Sequence, residues 1–160
     1  MSHTEQVEQM TDIMARFVGY TSKVLPDDVA DKLKELASKE TVPIAKLLYE
    51  TYEKNMELAK KLDRPSCQDT GVLQFFVKCG TKFPLIDDLE ALLREAVIRT
   101  TVTTPLRHNS VETFDEYNTG KNVGKGTPSV FWSLNQTLIP AKSIPIWQAV
   151  AAPFQVMPWS

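Results

Sequence analysis

Apolar residues recur at helical spacing three times in the first sixty residues, and the spacing then breaks at Asp63-Arg64-Pro65. A chain that changes period in this way must pack helices against a small sheet rather than build a pure bundle or a sandwich. Ser2 and Glu5 have capping-box spacing, and Val7, Met10, Ile13, Met14, Phe17 and Val18 follow on one helical face. Leu25-Pro26-Asp27-Asp28 opens a second helix, because proline suits a first turn and carboxylates favour the positive end of the dipole. Its buried stripe is expected at Val29, Leu33 and Leu36. Thr41-Val42-Pro43 opens a third helix, with Ile44, Leu47, Leu48, Tyr52, Met56 and Leu62 facing inward.

Beyond the break, Val72 to Lys78 reads as a short and largely buried strand. Asp87 is expected to cap a fourth helix carrying Leu89, Leu92, Leu93, Ala96 and Val97. From Thr100 onward the chain is rich in loop residues, including Pro105, Asn109, Asn118, Gly120, Gly124 and Gly126. The expected class is therefore α+β, an N-terminal helical half packed on a small sheet.

Composition narrows the function classes. The 160 residues make one domain's worth of chain, able to bury roughly two-thirds of its unfolded surface. Eighteen basic and twenty acidic residues are scattered rather than clustered, which argues against nucleic acid as a partner. No apolar run is long enough for a membrane span, and the polar N-terminus has no signal-peptide core. Two cysteines are too few for a disulfide framework and fit a reducing, cytoplasmic setting.

Three segments concentrate chemistry. Arg64-Pro65-Ser66-Cys67-Gln68-Asp69-Thr70-Gly71 puts a thiol, an amide, a carboxylate and a turn glycine at a loop-to-strand junction. A thiolate there is a potential iron–sulfur ligand, although an isolated cysteine is more often a small buried hydrophobe, the reading that also suits Cys79. Thr104-Pro105-Leu106-Arg107-His108-Asn109 offers Arg107, whose planar fork binds carboxylates in bidentate fashion; a surface ion pair is the plainer alternative. His108 beside it has the chemistry of a general base and equally that of a loop residue. Gly120 to Thr127 has the glycines and lysines of a phosphate loop, but only three residues separate Gly120 from Gly124, and Gly126 follows Lys125 where a hydroxyl is needed. A nucleotide site is excluded.

Together, Cys67-Gln68-Asp69-Thr70-Gly71, Phe75-Phe76-Val77-Lys78 and Pro105-Leu106-Arg107-His108-Asn109-Ser110-Val111-Glu112 through Asn118-Thr119-Gly120-Lys121-Asn122 resemble the iron–sulfur hydro-lyases of the class I fumarase and tartrate dehydratase type. The likeness is strongest to the tartrate-type α subunits, includes Pro26-Asp27-Asp28-Val29, and runs from about Val7 to Trp132. It implies a [4Fe-4S] enzyme, held by three cysteines, whose open iron acts as a Lewis acid while water leaves a hydroxy dicarboxylate. By this resemblance Cys67 is the first cluster ligand, Gln68 and Asp69 are catalytic positions, and Arg107 grips a substrate carboxylate. Cys79 falls on no ligand position, and His108 receives no role. The resemblance further implies a β subunit, an α2β2 heterotetramer, and dehydration of tartrate to oxaloacetate, with fumarate hydration as the alternative. The family's other two cluster cysteines lie further along than this chain reaches, so a non-catalytic remnant is a third reading.

The last stretch departs from the pattern of a soluble domain. From Ser133 to Ser160 there are four prolines, two tryptophans and a single charged residue, Lys142. Residues 1–132 are therefore expected to form the hydro-lyase part, and 133–160 to be an aberrant tail translated out of frame. Regrouping each third base of Ile146 to Val156 with the next two bases permits Met-Ala-Gly-Gly-Gly-Cys-Thr-Leu-Pro-Gly, which resembles the family's glycine-rich, cysteine-bearing segment. That regrouping needs ATA at Ile146 and GCT at Ala151.

Overall fold

The computed structural model describes residues 1–67, 72–112, 114, 116–135 and 146–149, and it is α+β. Helix α1 (His3–Thr21) begins with the expected capping box. The Glu5 amide donates to Ser2 Oγ at 3.2 Å and the Ser2 amide donates to Glu5 Oε2 at 2.6 Å. These reciprocal bonds satisfy two donors that a helix start leaves open, a contribution of about 1 kcal/mol. Helices α2 (Asp27–Lys39) and α3 (Pro43–Leu62) start at their prolines as expected. Helix α4 (Leu89–Thr103) starts one residue later than expected, with Asp88 at the N-cap in place of Asp87. The Asp88 carboxylate makes no cap bond; its Oδ2 lies 2.9 Å from His3 Nε2 and ties the starts of α1 and α4 together.

Strand β1 (Gln74–Gly80) is the spine of the sheet. The strand expected at Val72–Lys78 is thus displaced by two residues, and it is half-buried rather than largely buried. Phe75, Val77 and Cys79 are buried on one face, whereas Phe76 on the other is exposed. This is the alternation of a sheet covered on one side only. Two two-residue strands follow, β2 (Val111–Glu112) and β3 (Tyr117–Asn118), which pair antiparallel. Strand β4 (Ser129–Asn135) then lies parallel to β1, in register from Gln74 opposite Ser129 to Gly80 opposite Asn135. A parallel neighbour needs a long crossover, and α4 with its following loops supplies it. On the exposed face, the Phe76 and Phe131 rings stack with centroids 4.9 Å apart. The backbone of β5 (Ile146–Ala149) pairs antiparallel with the other edge of β1, giving the order β4-β1-β5. The division expected at 132/133 falls inside β4; most of the residues beyond it lie outside those described.

The core joins α1, β1 and α4. Met14 and Val18 from α1 meet Phe75, Val77 and Cys79 from β1 and Leu89, Leu92, Leu93, Ala96 and Val97 from α4, with Leu106 closing one end. At the contact between α1 and α4, Gly19 has no room for a side chain: a Cβ there would stand 2.8 Å from Thr104 Oγ1. The Thr100 hydroxyl, fully buried, donates to Ala15 O across the same contact at 2.8 Å. Outside it, Arg99 reaches Glu8 and Asp12 on α1 at 2.7 and 2.8 Å.

The helical faces assigned inward on α2 and α3 are the main correction. None of Val29, Leu33 and Leu36 is buried, and α3 buries only Ala59. Ile44, Leu47, Leu48, Tyr52 and Leu62 are all exposed, and Met56 is half-buried. The periodicity is real, but it places an apolar face toward solvent and a shallow groove lined by Leu33, Ala45, Leu48, Tyr49 and Tyr52.

Candidate functional site

Cys67 is held from two helices. The third helix ends at Asp63, whose positive φ of 52° reverses the chain, and the Arg64 amide then donates back to Ala59 O at 3.0 Å. Lys23 Nζ contacts Asp63 Oδ1 at 2.6 Å, joining this turn to the end of α1. Ser66 continues the connection: its amide and hydroxyl both donate to Ser22 O, at 3.0 and 3.1 Å. Finally the Cys67 amide donates to Asn55 Oδ1 of α3 at 2.8 Å. The backbone is therefore fixed up to an exposed thiol. Gln68 and Asp69, the two catalytic positions implied by the resemblance, lie outside the described residues.

Cys79 belongs to a different environment. It is 4% exposed on the inner face of β1, and burial raises its pKa by disfavouring the thiolate. It is the small buried hydrophobe its sequence context suggested. Among the described residues, no three His, Cys, Asp or Glu side chains come together in a way that could hold a metal ion. Cys67 can occupy one corner of a cluster; it cannot hold a [4Fe-4S] group alone. The described residues therefore do not by themselves fit the whole cofactor that the resemblance implies.

Arg107 lies on a segment pinned at both ends. Leu106 before it is 6% exposed and belongs to the core, and Ser110 after it is 5% exposed, while Arg107 and His108 between them are exposed. Two asparagines hold the intervening main chain. Asn118 Nδ2 donates to His108 O at 2.8 Å, and the Asn109 amide donates to Asn122 Oδ1 at 2.8 Å. The loop supplying them makes a tight turn at Gly120, where φ is 68° and the Gly120 amide donates to Asn118 Oδ1 at 2.8 Å. A Cβ at Gly120 would come within 3.7 Å of the His108 ring, so this imidazole packs on the turn. Further along the same loop, Lys125 Nζ stands 5.1 Å from the centroid of the Phe114 ring.

The positioning residues Ser22, Asn55, Asn118 and Asn122 were missed by sequence reasoning. Asn55 and Ser22 sit far along the chain from Cys67, and nothing in their own neighbourhoods points to it. Asn118 and Asn122 did fall inside the motif that carried the resemblance, and two asparagines around a glycine are a recognisable turn signal.

The chain matches the Fumarate hydratase (Fumerase) family over residues 11–147. It is 50% identical over 130 residues to the L(+)-tartrate dehydratase α subunits of Escherichia coli and Shigella sonnei, covering 81% of this chain and 43% of each relative. A Methanocaldococcus jannaschii protein is 28% identical over 132 residues, or 46% of its own length. The chain thus spans less than half the length of the curated relatives it matches. With the cysteine and arginine segments anchored as they are, and a match reaching across both, the chain belongs to the Fumarate hydratase (Fumerase) family.

Proposed function

We propose that this chain is the amino-terminal part of the α subunit of a hydro-lyase that dehydrates L(+)-tartrate to oxaloacetate. The observation that carries the reading is the pair of anchored segments, each fixing its backbone from buried elements and leaving a reactive side chain exposed. Their residue types suit a thiolate ligand at Cys67 and a carboxylate clamp at Arg107. The names of the 50% identical relatives supply the substrate. Removing water from tartrate takes a proton from one hydroxyl-bearing carbon and hydroxide from the other, leaving the enol of oxaloacetate. Negative charge develops on the carboxylate next to the carbon that loses its proton. A guanidinium bound to that carboxylate through two parallel hydrogen bonds stabilises the charge where it forms.

Gln68 and Asp69, next to Cys67, are the positions we assign to the proton-handling side of the pocket. A [4Fe-4S] cluster is the family's cofactor in this reading, with Cys67 one of its three ligands. The remaining ligands and a β subunit, in an α2β2 assembly in the cytoplasm, complete the proposal. No helix among the described residues is long and apolar enough to cross a membrane. Fumarate hydration is the second reading, favoured by the description of the matched family and by the shared four-carbon dicarboxylate skeleton.

The test is purification from the native source together with any bound partner subunit, followed by assay with L-tartrate and L-malate. Oxaloacetate formed from tartrate supports the proposal. Turnover of malate alone moves the assignment to fumarate hydratase, and the absence of both partner and activity identifies a non-catalytic remnant. In the active complex, Arg107→Lys keeps the charge but loses the fork, and should lower kcat/KM by roughly tenfold to a thousandfold, about 1.4–4 kcal/mol. The 160-residue chain alone, reconstituted anaerobically, should bind no stoichiometric cluster; four irons per chain would refute the view that it supplies one ligand.

A further inference from the structure

We propose that Asn122 is a positioning residue that holds Arg107 in place for the substrate carboxylate, an inference that rests on the role proposed above for Arg107. Asn122 is 5% exposed and has a φ of 56°, in the left-handed region. Glycine meets that backbone requirement at least cost, so an asparagine there gains its value from the side chain. Both ends of its amide are in use. Oδ1 accepts the Asn109 amide at 2.8 Å, and Nδ2 donates to Thr101 Oγ1 at 3.2 Å. The Thr101 hydroxyl, also buried, donates in turn to Val97 O at 2.7 Å, within α4.

A continuous hydrogen-bonded path, buried at Thr101 and Asn122, therefore runs from the backbone of α4, through the Asn122 amide, to the main chain two residues after Arg107. Helix α4 is the element most completely embedded in the core, and it gives the exposed guanidinium a rigid reference. The second tie, from Asn118 to His108 O, comes from the same loop but stays exposed to solvent, where water competes for the carbonyl. Of the two, the Asn122 bond is the better shielded from water. Bidentate recognition tolerates little angular error, so slack in this segment reduces carboxylate affinity more than it reduces folding stability.

The experiment measures L-tartrate kinetics of the complex of this chain with its partner subunit, for wild type, Asn122→Gly, Thr100→Val and Arg107→Lys, with urea unfolding of each chain. Asn122→Gly suits the local backbone and deletes only the amide. It should raise KM for tartrate about tenfold or more. Thr100→Val removes a buried hydroxyl that bonds across the contact between α1 and α4, off the path to Asn109; it should lower the unfolding midpoint yet leave KM within twofold. An unchanged KM in Asn122→Gly overturns the proposal, and so does a rise in KM in Thr100→Val that matches the one in Asn122→Gly. An Arg107→Lys complex with wild-type kcat/KM overturns the Arg107 assignment itself and leaves Asn122 nothing to position. Hydrogen exchange at the Asn109 amide of wild type tests the tie without any variant: protection supports it, and exchange at the rate of an open loop overturns it.

Discussion

The turn that leads the chain into β4 is held by the Arg94 guanidinium, which makes Arg94 a sharp probe of how the sheet is assembled. Arg94 is half-buried on α4, and its Nη1 and Nη2 donate to Thr127 O at 2.9 Å and to Gly124 O at 3.0 Å. The same two residues also bond each other, Gly124 N to Thr127 O at 3.0 Å and Thr127 N to Gly124 O at 3.3 Å. A charged donor to a backbone carbonyl contributes about 1.5–3 kcal/mol. Because both carbonyls keep a second partner when the arginine is removed, the low end applies to each. Arg94→Met should therefore cost about 3 kcal/mol, and Arg94→Lys, which can reach one carbonyl but not both, about half of that. For a chain of this size the first loss corresponds to a fall in Tm of roughly 6–12 °C. Urea unfolding followed by far-UV circular dichroism measures it, and an unchanged slope confirms that the native state alone has weakened. An Arg94→Met midpoint indistinguishable from wild type, or an Arg94→Lys loss equal to that of Arg94→Met, would refute the reasoning.

Thiol titration of the native chain should detect Cys67 alone, with Cys79 reacting only in denaturant; two fast thiols would contradict the burial of β1. Because burial raises the Cys79 pKa, the contribution of this group is intact below the unfolded thiol value near 8.5, and stability should fall as pH rises above it. Cys79→Ser would abolish that alkaline slope. At the acid end, the hydrogen bond from Arg99 holds the Glu8 pKa below the usual carboxylate range, as Lys39 does for Glu35. A lowered pKa gives stability that is present above the unfolded value near 4.3 and is lost as pH falls through the folded value. The urea midpoint should accordingly decline below about pH 4, less steeply in Arg99→Gln, and equal acid slopes in the two proteins would remove this pair from the account. The out-of-frame reading of the tail requires ATA at Ile146 and GCT at Ala151; sequencing the gene decides it, and any other codon at either position refutes it.

What could be read from the residues, and what could not, divides along a physical line. The capping box at Ser2 and Glu5, the proline starts of α2 and α3, and the core stripe of α4 are local signals, carried by neighbours within one or two turns, and each is present in the fold. Strand β4 was hidden because its Ser-Val-Phe-Trp-Ser-Leu-Asn sequence sits in a proline- and glycine-rich setting that reads as loop, and only the register with β1 makes it a strand. The site divides in the same way. Cys67 and Arg107 announce themselves by residue type, but the groups that hold them do not. Ser22, at the end of α1, reaches Ser66 and Asn55 of α3 reaches Cys67, across 44 and 12 positions of sequence, and the Asn122 amide matters only because Thr101 and Asn109 flank it in space. The α2 and α3 faces show the limit most clearly. Period and composition identify which side of a helix is apolar, since that is a property of one segment. Burial is a property of two surfaces, and no spacing within Ile44 to Leu62 encodes the second one. The same spacing that buries Met14 and Val18 in α1 leaves Leu48 and Tyr52 exposed in α3, because α1 has α4 lying against it.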